Sequence, residues 1–285
     1  MVQQVPVDSS AELVLNNDAG AIEILADLAY RQLGIVNVIY MGLQQPGGAW
    51  ILVDAGLVGT AQAIVRGAEQ RFGKGARPSA IILTHGHFDH VGALHELLDE
   101  WDVPVYAHSS ELPYLSGRES YPDPDPTVGG GMMSALSRFF PRGPIDVSKW
   151  VAPLPADGQV PYAPDWRWVH TPGHTLGHIS LWREFDRTLI AGDAFITTAQ
   201  ESAYAVMTQR AELHGPPMYY TPDWESAHVS VVRLAELEPE TVITGHGPPL
   251  QGESMRKSLT KLAKEFDHVA VPTSGTYVTR PGSPK

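Results

Sequence analysis

Short apolar runs that end in turn residues alternate with stretches of helical spacing along most of the chain. Residues 34–40 and 49–54 are apolar segments beside glycine or aspartate, which is typical of paired strands. Residues 58–73 carry apolar side chains at helical spacing and end in a glycine, and residues 79–83 are a short, mostly apolar strand. This order of strands and helices predicts an α/β fold for the first half.

The same order of elements continues into the second half. A helix near 91–100 and a strand at 103–106 complete the first unit. The later predicted elements are strands near 166–171, 178–184, 187–192 and 241–244 and helices near 223–237 and 253–266. Because the sequence contains no linker that would separate two cores, we expect one domain over residues 1–285.

Residues 116–165 interrupt this order with many prolines and a run of three glycines. Long segments of this kind are either functional or simple surface excursions, and both alternatives stay open. We expect a lid-like insertion or an oligomer contact. Within it, the apolar stretch 132–140 predicts a short helix, from which Phe139 and Phe140 would line a substrate pocket.

Composition narrows the classes of protein. The 285-residue chain is 43% hydrophobic and 18% charged, which predicts a globular protein with a substantial core. Its formal net charge of -12 repels a phosphate backbone, so we expect no nucleic-acid partner. Apolar stretches stay shorter than the roughly 18 residues that span a bilayer, and residues 1–10 lack the features of a secretory signal. We expect a cytoplasmic protein that does not associate with membranes.

Four polar side chains occur within six residues, directly after the predicted strand at 79–83. They are His85, His87, Asp89 and His90. The chain has no cysteine, which excludes thiolate ligands and thiol nucleophiles, so any metal must bind to histidine and carboxylate. Three imidazoles and one carboxylate that converge at the end of a strand predict a metal site.

Three later segments also deliver a polar side chain at the end of a predicted strand. They contain His174, Asp193 and His246, and a glycine precedes each of the three. A carboxylate at the end of a buried strand is costly unless a cation compensates its charge. The four segments together predict one shared metal centre.

The order H-x-H-x-D-H, then His, Asp and His, resembles the metallo-β-lactamase fold superfamily, in its glyoxalase II-like and lactonase-like branch, over about residues 20–250. The resemblance implies an αβ/βα four-layer sandwich with two central mixed β-sheets and flanking helices. The ligands that it implies are His85, His87 and His174 for one metal, Asp89, His90 and His246 for the second, and Asp193 as a bridge. Asp54 and His178 are expected to support these ligands without binding a metal.

The resemblance also implies a dinuclear hydrolase. In its mechanism, a hydroxide that bridges two metals attacks the carbonyl of an ester, lactone or thioester. Two zinc ions suit these ligands, and iron or manganese would also fit. Asp89 is the expected proton carrier and Asp193 the catalytic bridge. The expected substrate is a small molecule with an apolar portion.

At two positions this sequence differs from individual branches of the superfamily, and these differences narrow the range of expected activities. β-Lactamases usually carry cysteine or serine where this chain has Asp193, so β-lactamase activity is the least expected alternative. The lactonases carry a tyrosine at the position of Ile196, so lactone opening would need another donor. The candidates lie in an expected active-site loop near 196–222 and are Tyr204, His214, Tyr219 and Tyr220.

Two further activities stay open. A mononuclear iron enzyme similar to the persulfide dioxygenases would use the equivalents of only four of the seven ligands, His85, His87, His174 and Asp193. A phosphodiester or phosphotriester hydrolase would use both metals, but the acidic net charge disfavours it. The metal content of the protein separates the first alternative from the hydrolase.

Overall fold

Two β-sheets form the centre of the fold in the computed structural model, which describes residues 5–11, 20–198 and 212–278. Among those residues, the first sheet has seven strands, in spatial order Ile22–Leu25, Leu28–Leu33, Val36–Met41, Ile51–Val53, Ala80–Ile82, Val105–Ala107 and Val151–Pro153. The pairs from Ile22–Leu25 to Ile51–Val53 are antiparallel, and the pairs from Ile51–Val53 to Val151–Pro153 are parallel. The sheet is therefore mixed, as predicted.

The second sheet is also mixed. Within the described residues it has six strands, in spatial order Leu250–Gln251, Thr241–Thr244, Thr188–Gly192, Ile179–Arg183, Ala163–His170 and Gln159–Val160. The strands Thr188–Gly192 and Thr241–Thr244 run parallel, and the other neighbours run antiparallel. A separate short pair joins Val5–Pro6 to Glu212–Leu213.

Helices cover the outer face of each sheet. The α-helices of the described residues are Ala61–Phe72, Phe88–Val91, Leu94–Trp101, Leu112–Leu115, Met132–Leu136, Trp224–Glu236, Gly252–Lys264 and Phe266–Val269. Short 3-10 helices occur at Ser9–Ala11, Ser109–Glu111, Ser137–Phe139 and Met218–Tyr220. In the part of the chain that the structure describes, no helix has the length and apolar character needed to cross a membrane.

Neighbouring residues of the central strands enter different cores. Ile39 and Ile190 lie in the core between the two sheets, whereas Tyr40 and Leu189, one position away in each strand, pack on the side of the outer helices. Successive side chains of a strand point to opposite faces, so strands that are covered on both sides must be apolar throughout. This explains the continuous apolar runs of the sequence and confirms the predicted four-layer sandwich.

One predicted helix is divided in the structure. The sequence predicts a helix near 91–100, but the chain forms Phe88–Val91 and Leu94–Trp101 with a turn between them. The backbone N–H groups of Gly92 and Ala93 donate to the carbonyl oxygens of Gly56 and Ala55, at 2.7 and 3.3 Å. These bonds to another loop replace the helical pattern and interrupt the helix.

The predicted insertion at 116–165 is shorter in the structure. Its final part, from Val151 onward, contributes the strands Val151–Pro153 and Gln159–Val160 and the start of Ala163–His170 to the two sheets. The predicted short helix is confirmed at Met132–Leu136. The prolines misled the prediction because edge strands and strand starts tolerate a residue that cannot donate a backbone hydrogen bond.

Candidate metal centre

All seven predicted ligands follow strands whose ends meet at one edge of the sandwich. The first four occur in the turn and short helix after Ala80–Ile82, and the other three follow Ala163–His170, Thr188–Gly192 and Thr241–Thr244. Hydrogen bonds hold the two sheets together here. The N–H of Ile179 donates to the carbonyl of Thr84 at 3.0 Å, and the side-chain amide of Asn37 donates to the carbonyls of Thr244 and Gly247 at 2.9 and 2.7 Å.

His85, His87 and His174 bring three ring nitrogens together, and we call them the first group. Nε2 of His85 lies 3.1 Å from Nδ1 of His87, which lies 2.9 Å from Nε2 of His174. Nitrogens that bind one tetrahedral zinc at about 2.0–2.1 Å lie about 3.4 Å apart. The observed distances are close to that value, so the first group could hold one metal ion.

Asp89, His90 and His246 form the second group, which also satisfies the distances of a metal site. Nε2 of His246 lies 3.5 Å from Oδ2 of Asp89. Nδ1 of His90 lies 2.9 Å from Oδ2 of Asp54, so the other ring nitrogen of His90 points toward the cluster. A carboxylate on Nδ1 fixes the tautomer and the orientation of a ligating histidine. The position of Asp54 therefore agrees with its predicted supporting role.

Asp193 lies between the two groups. Its Oδ2 is 3.5 Å from Nε2 of His174 in the first group, and 3.1 and 3.6 Å from Nε2 of His246 and His90 in the second. Gly245 makes this approach possible, since a Cβ on that residue would lie 2.0 Å from Oδ1 of Asp193 and 2.8 Å from a ring carbon of His90. The structure thus brings all seven predicted ligands into one cluster.

His178 uses both of its ring nitrogens for hydrogen bonds. Nε2 accepts the N–H of Asp193 at 2.8 Å, and Nδ1 lies 2.8 Å from the hydroxyl of Thr171. Burial lowers the pKa of His178 to about 4, so the ring is neutral. His178 therefore positions the backbone of Asp193 and has no nitrogen left for a metal.

The two groups differ in the charges around them. Burial and neighbouring imidazoles lower the pKa of His87 to about 3 and hold the pKa values of His85 and His174 well below the usual range. Burial also lowers the pKa of His90, but the carboxylates of Asp193, Asp54 and Asp89 outweigh it and raise that pKa well above its usual value. The second group therefore lies in a strongly negative potential.

Two buried atoms of the cluster lack a hydrogen-bond partner within the described part of the chain, Nε2 of His90 and Oδ1 of Asp193. A buried polar atom without a partner costs about 1–3 kcal/mol, and a metal bond would satisfy both atoms. Burial raises the pKa of Asp193, but the imidazoles of His246 and His90 hold it well below its usual range. Imidazole nitrogens beside ionised carboxylates are the ligands that zinc prefers, so the residues fit a metal site.

Comparison with known proteins agrees with this geometry. A family model of the metallo-β-lactamase superfamily matches residues 31–246, which include all seven cluster residues. The chain belongs to the metallo-β-lactamase superfamily. It is 51% identical over 235 residues to the probable metallo-hydrolase YflN of Bacillus subtilis (strain 168), with 82% of this chain and 89% of YflN covered.

Two solved structures share the fold of this chain. The Rm3 metallo-β-lactamase matches with a TM-score of 0.60 and 21% identity, over 88% of this chain and 94% of that one. TTHA1623, whose crystal structure is of a di-iron-bound form, matches with a TM-score of 0.53 and 24% identity, over 82% and 96%. These likenesses confirm the predicted metallo-β-lactamase fold.

A cavity opens beside the cluster, and His87 and His174 form part of its wall. Its other lining residues are mostly rings and apolar side chains: Tyr114, Tyr121, Pro122, Asp123, Thr175, Leu176, Tyr220, Pro222 and Tyr277. A larger cavity of about 470 Å³ beside Gly129 and His268 includes none of the cluster residues. The cavity at His87 is therefore the candidate substrate pocket.

Of the predicted pocket residues that the structure describes, only Tyr220 lines this cavity. The ring of Tyr220 lies 4.6 Å from the ring of His87. Tyr219 belongs to the core beneath the second sheet, and the buried Ile196 and His214 pair through their backbones in a β-bridge. Tyr204 lies outside the described residues. In the described part of the predicted active-site loop near 196–222, the residues that line the pocket are Tyr220 and Pro222.

The two predicted lid aromatics have different positions. Phe139 is 70% exposed and lies under the guanidinium of Arg138, so its prediction as a pocket wall is corrected. Phe140 is half-buried, with its ring 5.3 Å from Phe88 and 6.2 Å from Tyr219. Neither residue lines the cavity at His87. The two residues differ in exposure because the 3-10 turn ends at Phe139 and the backbone is extended at Phe140, so that the two side chains have different surroundings.

Sequence reasoning missed several residues that support the cluster. Glu111 and Tyr121 lie directly behind the loop that contains His85 and His87. The hydroxyl of Thr221 lies 3.3 Å from Nδ1 of His174. Glu111 follows two serines at the start of a helical turn, where a glutamate is ordinarily a surface helix-capping residue. No local signal distinguishes it from such a residue.

Proposed function

We propose that this protein is a dinuclear metal-dependent hydrolase that cleaves an ester, lactone or thioester bond in a small molecule. Membership of the superfamily and the buried cluster support metal-dependent hydrolysis as the class of activity. The observation that carries the dinuclear form is the position of Asp193. One carboxylate oxygen of this residue lies within 3.1–3.6 Å of imidazole nitrogens from both groups.

The residues of the cluster divide into those that would hold metals and those that would handle protons. The first group would hold one zinc ion and the second group another, with Asp193 between them; iron or manganese would suit the same atoms. Bound metals of this kind supply an activated water and polarise the scissile bond. Asp89 has a carboxylate at the edge of the cluster, so it would hold or pass on the proton that is released.

The pocket indicates what the rest of the substrate is like. Tyrosine, proline and leucine side chains provide apolar walls, and Asp123 is a carboxylate among them. In the described part of the lining, neither lysine nor arginine is present to bind a phosphate or a carboxylate. This composition favours an uncharged substrate with an aromatic or aliphatic portion.

Tyr220 would contact such a substrate directly. Its hydroxyl is buried without a hydrogen-bond partner in the described chain, and its ring packs on that of His87. A substrate oxygen beside His87 would accept a hydrogen bond from this hydroxyl and satisfy it. Tyr220 would therefore position the bond that is cleaved.

Metal content and substrate range test the proposal together. Protein purified without chelators is expected to contain two metal ions per chain, measured by elemental analysis. Metal-loaded protein is then assayed on neutral aryl esters, lactones and thioesters, with phosphodiesters and β-lactams as anionic comparisons. We expect turnover of the neutral compounds.

Two outcomes would contradict the proposal. One is a firm content of a single iron with oxygen uptake on a persulfide, which would support the mononuclear oxygenase. The other is two metals with turnover restricted to phosphodiesters, which would keep the metal centre and replace the substrate class.

A further inference from the structure

Glu111 is a fully buried carboxylate between the two loops that carry the first group of histidines. It lies in the 3-10 turn Ser109–Glu111, after the strand Val105–Ala107. Its Oε2 accepts the N–H of Gly86 at 3.0 Å, and its Oε1 accepts the N–H of Gly177 at 2.8 Å. Gly86 separates His85 from His87, and Gly177 follows His174, so one side chain contacts both loops.

Two hydroxyl groups complete the contacts of this carboxylate. Thr175 donates to Oε1 at 2.8 Å, and Tyr121 donates to Oε2. Each carboxylate oxygen thus binds one backbone N–H and one hydroxyl. The fit at Gly177 is close, since a Cβ there would lie 2.7 Å from Oε1 and 2.8 Å from Cγ of Glu111. This loop can reach Glu111 only because residue 177 is glycine.

The two loops belong to different sheets. The loop with Gly86 follows the strand Ala80–Ile82 of the first sheet, and the loop with Gly177 joins Ala163–His170 to Ile179–Arg183 of the second. The distance between His87 and His174 therefore depends on how the sheets are held at this edge. Glu111 is the side chain that binds the backbone of both loops.

The contacts of Glu111 are all neutral donors, and burial raises its pKa. Burying a carboxylate among neutral groups is costly, and a neutral side chain could fill the same volume. The position calls for four accepted hydrogen bonds with fixed directions, which a carboxylate provides. Tyr121 extends this contact to the substrate pocket, because its ring lies 4.5 Å from that of His87 and lines the cavity.

We infer that Glu111 is a positioning residue that sets the geometry of His85, His87 and His174, and so the affinity of the first group for its metal. This inference rests on the metal binding in the proposed function. Asp54, by contrast, contacts residues beside both groups, since it binds His90 and Thr84.

Glu111→Gln is the sharpest variant because it keeps the shape of the side chain. The hydroxyls of Thr175 and Tyr121 can rotate to accept from the new amide, but the N–H groups of Gly86 and Gly177 cannot. If –NH₂ replaces Oε1, the N–H of Gly177 faces a donor; if it replaces Oε2, the N–H of Gly86 faces a donor and keeps the hydroxyl of Tyr121 as its acceptor at 3.0 Å. We expect the affinity of the first group to fall about 10–100-fold, as is usual when a residue that orients a ligand is changed.

Cobalt(II) titration in competition with a chromophoric chelator measures the two dissociation constants. A His174→Ala variant, which lacks a ligand of the first group, identifies the step that belongs to that group. Glu111→Gln should weaken this step and leave the other within about twofold. Asp54→Asn should weaken both steps, because Asp54 contacts His90 and also the hydroxyl of Thr84, which lies 3.1 Å from Nδ1 of His85. Glu100→Gln, at an exposed helix position, should change neither step.

Tyr121→Phe provides a second, milder variant. It keeps the ring beside His87 and removes a hydroxyl that donates to Glu111 and accepts the N–H of Gly86 at 3.0 Å. Because Glu111 still accepts from both backbone N–H groups, a smaller loss at the same step is expected. Circular dichroism of each metal-free variant confirms that it is folded before the titration.

The outcomes separate the inference from the proposed function. If the unaltered protein binds only one cobalt ion, the dinuclear function fails. If it binds two ions and Glu111→Gln weakens both steps equally, or neither step, Glu111 has no selective role and the inference is overturned.

Discussion

The two residue groups of the candidate metal centre lie within one cluster but are stabilised by different forces. The first group consists of imidazoles held by neutral donors and hydroxyls, and its pKa values are lowered, to about 3 at His87. The second group is surrounded by carboxylates, and burial of His246, which would lower its pKa, is outweighed by Asp193, so that this pKa is raised. The two groups therefore differ in their electrostatic surroundings, although their residues belong to the same sequence pattern.

The difference follows from where the carboxylates lie. Asp54, Asp89 and Asp193 all act on His90, whereas the first group has Asp193 as its nearest carboxylate. The imidazoles of the first group are neutral in the folded protein because their pKa values are lowered, so they need only the correct geometry to bind a metal. Clustered carboxylates need a cation to offset their mutual repulsion and burial. We expect geometry to control the first group and charge to control the second.

The substitution Asp193→Ala should have the largest effect, because it removes the carboxylate that both groups share. Metal content should fall, and turnover should fall by at least about 10³-fold, since the contribution of bound metals to catalysis is several kcal/mol. Elemental analysis and hydrolysis rates are the measurements, with the exposed Asp99→Ala as a matched control. Full metal content with normal turnover would show that Asp193 does not bridge the groups.

Removing bound metals with a chelator should have the second-largest effect, a decrease in the free energy of unfolding. The local loss of stability should differ between the two groups. A metal present at about 100 times its dissociation constant stabilises a fold by about 2.7 kcal/mol, which corresponds to a Tm decrease of roughly 5–10 °C on removal. Hydrogen exchange should then increase more near Gly245 and His246 than near His174, because the uncompensated carboxylates lie in the second group. Equal increases at both places would remove the distinction between the groups.

Tyr220→Phe tests the contact between the first group and the substrate. We expect kcat/KM to fall about 10-fold through the loss of one hydrogen bond, with metal content unchanged. Because this hydroxyl is buried without a partner, the free energy of unfolding should stay constant or rise. Tyr162→Phe, at an exposed site, serves as the control for hydrolysis assays and urea denaturation. A normal kcat/KM would exclude Tyr220 from substrate binding.

The smallest effects are expected in the insertion that flanks the pocket. Phe140→Ala should reduce the free energy of unfolding by about 1–2 kcal/mol, because its ring packs on Phe88 and Tyr219. Phe139→Ala should change it by less than about 0.5 kcal/mol, since that ring is exposed. Urea denaturation of both variants measures the difference. Equal losses would place Phe139 in a contact that forms only in solution, such as an oligomer interface.

The sequence pattern predicted an α/β fold and the cluster residues, and the family resemblance implied the four-layer sandwich. Strands covered on both faces must be apolar along their whole length, so the apolar runs around Ile39 and Ile190 predict buried strands directly. His85, His87, Asp89 and His90 lie within six residues, and a local spacing of this kind is retained in any fold that follows the strand with a turn. Short-range patterns of this type can be recognised without knowledge of the tertiary structure.

The tertiary structure decided which residues support and surround that cluster. Glu111 resembles an ordinary surface residue in the sequence, yet it is buried because loops from both sheets converge on it. Tyr220 and Phe139 were equal pocket candidates, but only the first reaches the cavity. Their positions depend on contacts between segments that are distant in the chain, and the free energy of those contacts depends on the packing of both sheets. The local sequence pattern therefore specified the cluster residues, and tertiary packing specified the residues that contact them.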